Sequence, residues 1–247
     1  MQIKKHKPNT EIAKTDAMFF AAHPDDAELN CGGTILSLVN SGRTVGIVDL
    51  TLGELSTRGN LKLRKKETDK ATSLLGIKFR ENLKISDGNI ELNNSNKKKI
   101  IEVIRKYRPE IIFAPYPMDR HPDHINASNL IRESYFYSGL SKIKTGKSEQ
   151  FRPSKIYYYR NAVDMPVSFI FDISKAFKQK LEVMQCYDSQ FYNAESKGPQ
   201  TFISSKLFEQ EVEARARHFG FKIGVEFGEP FYTDSDLKIE SDTLFSL

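Results

Sequence analysis

Cysteine is scarce: the 247 residues hold two, Cys31 and Cys186, far apart and in no C-x-x-C pair. Neither a zinc ribbon nor a disulfide framework is indicated, and both are read as buried thiols. Uninterrupted apolar runs of about 18 residues are also missing, and the N-terminal stretch MQIKKHKPNTEIAK has no apolar core such as a secretory signal needs. The expectation is a cytoplasmic protein with no membrane partner. Internal repeats, heptads and low-complexity tracts are absent as well, so one domain over 1–247 is expected, with 1–14 as a polar N-terminal extension. The first strand-to-helix turn lacks G-x-G-x-x-G, which argues against a dinucleotide-binding oxidoreductase, although Asp49 stands where a ribose-binding acid would.

What is present is a chain 39% apolar and 11% aromatic, enough for a sizeable core, with a formal charge of +5. Its lysines are dispersed. The one dense cluster, Lys97-Lys98-Lys99, opens an amphipathic helix and reads as a solvated helix end, so no nucleic-acid partner is expected. A basic balance also suits a small anionic substrate.

The apolar run 17–21 reads as a strand, GGTILSLVNSGR as a helix closed near Gly42, and TVGIVDL as a second strand. Further helices are predicted from LKLRKKETDKATSLL to Gly76 and over 98–107 before Pro109, with strands at EIIFAPY, 155–160 and 168–173. Ser174 is placed to cap a helix running to about Tyr187. Alternating strands and helices predict an α/β fold, a mostly parallel sheet covered on both faces in a Rossmann-like three-layer sandwich. Ligands bind beyond the carboxyl ends of such strands.

Two histidine clusters fall at those ends. AHPDDAELNC follows the first strand and sets His23 beside Asp25, Asp26 and Glu28; carboxylates so close repel one another unless something positive sits among them. DRHPDH, 119–124, follows EIIFAPY, and only one of His121 and His124 need reach an ion held by the first cluster. His23, Asp26 and His124 would form a two-histidine, one-carboxylate set with a coordination position left for water. Asp25 would then be free to accept that water's proton. Alone, each cluster reads as a turn with an aspartate capping the next helix; together they point to hydrolysis. Glu28 is read as a first-turn residue favoured by the helix dipole, and Asp123 as the group that orients His121 and keeps it protonated.

AHPDDAELNCGGTI with APYPMDRHPDH resembles the LmbE-like (PIG-L) family of zinc-dependent N-acetylglucosaminide deacetylases, over about 17–232. DLTLGELSTRGNLKLRKKETDKATSLLGI, YDSQF and VEARARHFGFKIGVEFGEPF are similar to the bacillithiol-pathway branch, which deacetylates N-acetyl-glucosaminyl-malate. The resemblance implies the LmbE-like deacetylase fold, a small-molecule amino-sugar substrate and a homo-oligomer. It also implies Zn2+ on His23, Asp26 and His124, with Fe2+ an alternative, Asp25 as general base and His121 at the tetrahedral intermediate. Arg64 and Arg120 match arginines that grip the malate. A tyrosine often found before VEAR is replaced here by Phe208, so either Tyr192 or another loop tyrosine serves or that contact is absent. Another N-acetylglucosamine-containing substrate is the closest rival reading, and a non-catalytic sugar- or nucleic-acid-binding protein a more distant one.

Overall fold

The apolar run at 17–21 forms strand β1 (Ala17–Ala21), every residue of which is buried. Ala17, Phe19 and Ala21 face one core and Met18 and Phe20 the other, as the two-residue period of a strand covered on both sides requires. Complete burial of Phe19 and Phe20 contributes about 1.5–3 kcal/mol each. The computed structural model describes residues 14–146, 148–196 and 198–238. All but Lys14 of the expected N-terminal extension therefore lies outside the described residues.

The other strands are β2 (Val45–Asp49), β3 (Phe79–Asn82), β4 (Ile111–Pro115), β5 (Lys155–Tyr159), β6 (Phe169–Asp172) and β7 (Gly228–Tyr232). They form one sheet in the order β3-β2-β1-β4-β5-β7-β6. All neighbours are parallel except β7, which runs against both β5 and β6. Helices α1 (Asp26–Asn40), α2 (Leu61–Leu75) and α5 (Phe177–Met184) pack together on one face, with α3 (Asn94–Tyr107) and α4 (Pro122–Ser138) on the other. Helix α6 (Lys206–Lys222) packs against β7 and sends Val212 into the first core. This is the expected α/β sandwich. From β1 the chain builds outward through β2 and β3, then crosses to β4 on the other side. That reversal leaves a crevice between the carboxyl ends of β1 and β4, where open α/β sheets bind ligands.

Several boundaries have local causes. Gly76 ends α2 with φ 65, a conformation that costs glycine little, and Arg108 ends α3 with φ 46 before Pro109. Ser174 does not cap α5. That helix starts at Phe177 after Ala176, and the Ser174 hydroxyl donates to Asp172 instead. The lysine cluster lies in the first turns of α3, with Lys97 on Glu133 and Lys99 on the Leu83 carbonyl. Both cysteines are buried free thiols. No helix among the described residues is long and apolar enough to cross a membrane.

Candidate active site

HPDD leaves β1 and enters α1 through a strained residue. Asp25, the residue before the helix, has φ 116 and ψ −25, a conformation that costs a non-glycine residue about 1–3 kcal/mol. Its side chain makes no cap to α1, forgoing about a further 1 kcal/mol. The carboxylate instead accepts from Arg64 Nη1 at 2.9 Å, and both groups are buried. Burial pushes the Asp25 carboxyl up to about 7, against the opposing pull of Arg64. A carboxylate held near neutrality is poised to exchange protons at physiological pH.

Asp26 opens α1 and stands between two imidazoles from different turns. Its Oδ2 lies 3.4 Å from His23 Nδ1 and its Oδ1 3.4 Å from His124 Nε2. One ligand atom from each of the three lies within 4.8 Å of the others. The far nitrogen of each ring meets an acid. His23 Nε2 is 3.0 Å from Asp87 and 3.3 Å from Asp123, and His124 Nδ1 is 3.3 Å from Asp119. Carboxylate behind imidazole is the support that metal-ligating histidines use to fix ring orientation and tautomer.

The electrostatics fit a cation at this point. Burial works against a charged His124, yet Asp26 and Asp119 hold its pKa up at about 9. Burial would raise Asp26, yet His124 and His23 hold its carboxyl well below the usual range. The space between the three side chains therefore favours positive charge, and two nitrogens with one carboxylate suit a divalent transition ion. A second possible trio, His23, His121 and Asp123, fits less well. Asp123 Oδ2 already accepts from the Gly88 amide at 2.8 Å, and His121 Nδ1 already accepts from the Asp123 amide at 3.2 Å.

That last bond corrects the expected role of Asp123. Its carboxylate supports His23 rather than His121, because His121 is itself the N-cap of α4 and takes the Asp123 backbone N–H. With Nδ1 accepting, a neutral His121 carries its proton on Nε2. Burial and the neighbouring His124 and His23 lower its pKa, against the opposing pull of Asp123 and Asp26. Arg64 lines the same cavity as His121, with its Nη1 donating to Asp25 and its Nη2 to Ser56 Oγ. Arg120 remains available. It is exposed, lies 3.9 Å over the Phe202 ring and has no carboxylate partner among the described residues.

These groups line a cavity of about 420 Å³ beside Asn161, Phe202 and Phe208. Phe208 thus sits in the site, and no tyrosine lines it among the described residues; Tyr192 borders a different cavity behind Phe208 and Ile203. Glu28 is in the first helical turn, where it is fully buried against Arg80 and the Tyr187 hydroxyl. Asp49 is bound by two Arg80 nitrogens, and so is not free to hold a ribose. Sequence reasoning missed two acids. Asp119 stood inside the quoted DRHPDH without a role, while Asp87, in KISDGNI, belongs to no motif that would have pointed to it.

A model of the PIG-L family, described as GlcNAc-PI de-N-acetylase, matches residues 18–135, which contain both histidine turns. The diacetylchitobiose deacetylase of Thermococcus kodakarensis is 31% identical, over 77% of this chain and 75% of its own length. A probable N-acetyl-alpha-D-glucosaminyl L-malate deacetylase of Bacillus anthracis is 28% identical over 68% of this chain and 78% of the relative. Among solved structures, a conserved protein of Thermus thermophilus superposes with a TM-score of 0.82 at 33% identity, covering 92% of this chain and 98% of that one. With both histidine turns inside the matched segment and the fold shared across nearly the whole length, the chain belongs to the PIG-L family of LmbE-like deacetylases.

Proposed function

We propose that the protein hydrolyses the acetamide of an N-acetylglucosaminide, releasing acetate and a free sugar amine. The observation that carries this reading is the geometry that sets the buried Asp25 carboxylate, held by Arg64, beside the His23, Asp26 and His124 trio. A divalent ion on those three residues, zinc or iron(II), would supply Lewis acidity to water and to the amide carbonyl. Asp25 takes the proton of the attacking water. It then passes the proton to the sugar nitrogen as the carbon–nitrogen bond breaks. His121 donates its Nε2–H to the amide oxygen as negative charge gathers there. Asp119, Asp87 and Asp123 keep the two ligand rings turned inward.

For the substrate, the unpaired Arg120 guanidinium at the cavity wall supports N-acetyl-alpha-D-glucosaminyl L-malate, since a guanidinium forks onto a carboxylate with two parallel bonds. A second reading, a neutral sugar such as diacetylchitobiose, draws on the commitment of Arg64 to Asp25, which leaves one guanidinium where the malate reading had placed two. It also draws on the exposed apolar side chains of Leu55 and Phe202 at the same cavity.

Acetate release from the malate glycoside, diacetylchitobiose and N-acetylglucosamine, each with and without chelator, tests both levels. Chelator-sensitive release from at least one sugar is expected, with kcat/KM greatest for the malate glycoside and selectively reduced in Arg120→Gln. Release unaffected by chelator sinks the metal-dependent mechanism, and a preference for the neutral sugars sinks the malate assignment.

A further inference from the structure

A second cavity, of about 530 Å³, lies beside the first and shares Thr57 with it. Among the described residues, three cations border it. Arg58 is 8% exposed, yet it has no carboxylate partner among the described residues, and its one side-chain hydrogen bond is from Nη2 to the Ser196 hydroxyl. Lys66 and Lys70, one turn apart on the exposed face of α2, likewise have no ion pair among the described residues. Two acids share the lining. Glu67 is spent on Ser189, accepting from its amide at 2.8 Å and its hydroxyl at 2.7 Å, and Asp188 is exposed.

The arginine is held in place, since the Gln190 side-chain amide donates to the Arg58 carbonyl at 3.0 Å and to Ser189 Oγ at 2.7 Å. Gly59, at φ 75, lets this loop press against Ser189, where a Cβ would come within 2.8 Å of the Ser189 Oγ. A guanidinium carries five donors in a rigid fork and is costly to bury unpaired. Here the backbone around it is fixed, one donor is engaged by Ser196, and the side chain lines an open cavity.

We propose that this cavity is a binding site for a small oxyanion, a carboxylate or a phosphate, held by Arg58 with Lys66 and Lys70. The anion completes the Arg58 hydrogen bonding through a charge-assisted fork, and the two lysines add attraction that salt screens. Such an anion comes either from the far end of a substrate whose sugar occupies the neighbouring cavity or from a free ion.

Calorimetric titration of the metal-loaded protein with inorganic phosphate at low ionic strength tests the site, with Arg58→Gln, Lys66→Gln/Lys70→Gln and Arg120→Gln alongside. One saturable site is expected. Arg58→Gln should weaken it by about tenfold or more, the double lysine variant should weaken it less and flatten its salt dependence, and Arg120→Gln should leave it unchanged. The lysine pair lies on an exposed helix face, so its result stands even if Arg58→Gln fails to fold. Phosphate that competes with substrate in steady-state kinetics identifies a substrate-borne anion; phosphate that binds without competing identifies a free one. No saturable binding, or binding lost in Arg120→Gln and kept in Arg58→Gln and the lysine variant, overturns the proposal whether or not the deacetylase reading holds.

Discussion

In the β1–α1 turn the helix begins at Asp26, three residues after His23; in the β4–α4 turn it begins at Pro122, one residue after His121. Both turns spell His-Pro-Asp, yet this difference in where the helix starts gives the same letters different work. In the first turn the aspartate falls on the cap position, takes a left-handed backbone and turns its carboxylate to Arg64. In the second the histidine falls on the cap position, and the aspartate, inside the first helical turn, is buried behind His23. Of the His23, Asp26 and His124 trio, the helical members are the first residue of α1 and the third of α4. A motif in a sequence therefore assigns chemistry only after the helix boundary is known.

Replacing single residues in each turn tests this contrast. His124→Ala should lose both divalent ion, read by elemental analysis, and all acetate release. Asp25→Asn should keep the ion and lower kcat by about 10²–10⁴, as removal of a general base does. Asp123→Asn should cost less; an equal loss would mean that the two aspartates do the same job. His121→Ala should keep the ion and lower kcat by about 10²–10³, and should also destabilise the fold by about 1 kcal/mol through its lost cap. Loss of ion in that variant would mean that the second turn presents His121 and not His124.

Smaller effects follow from charge. Arg64 lowers the Asp25 pKa against burial, so Arg64→Met should move the acidic limb of the kcat/KM profile to higher pH; an unmoved limb separates the arginine from the base. Stability gives the mildest test. His124 is held up at about 9 against an ordinary 6.5, so its contribution is full below 6.5 and is lost as pH rises through 9. Asp25, raised from 3.8 to about 7, loses its contribution over the lower window and acts in the same direction. The chelated protein should therefore melt lower at pH 9 than at pH 6. Bound ion, which competes with protons for His124, should reverse that order.

Strands β1, β2 and β4 were legible because they are short apolar runs between turn signals, with the histidine clusters after β1 and β4, and β5 and β6 lie within one residue of their expected bounds. Strands β3 and β7 conceal themselves for physical reasons. β3, FREN, is half-buried at the sheet edge and is held by the Arg80 pairs to Asp49 and Glu28 rather than by an apolar pattern. β7, GEPFY, contains glycine, proline and a buried Glu229 that pairs with Lys180. Its Pro230 is tolerated because the described pairing to β5 involves only Phe231 and Tyr232. The site shows the same division. The ion-facing trio is local in sequence within each turn, whereas Asp87 reaches His23 from a loop 64 residues away, a contact that no spacing rule encodes.

The trio also has a consequence for assembly. Asp26 and His124 belong to segments roughly a hundred residues apart, and joining them closes a loop whose entropic cost grows only with the logarithm of its length. The trio cannot assemble until β4 has docked beside β1, so metal uptake on it would report on sheet closure rather than on helix formation. An ion held by the trio would tie the two sides of the crevice together, and its removal should then make the 119–124 turn the first point of proteolytic attack.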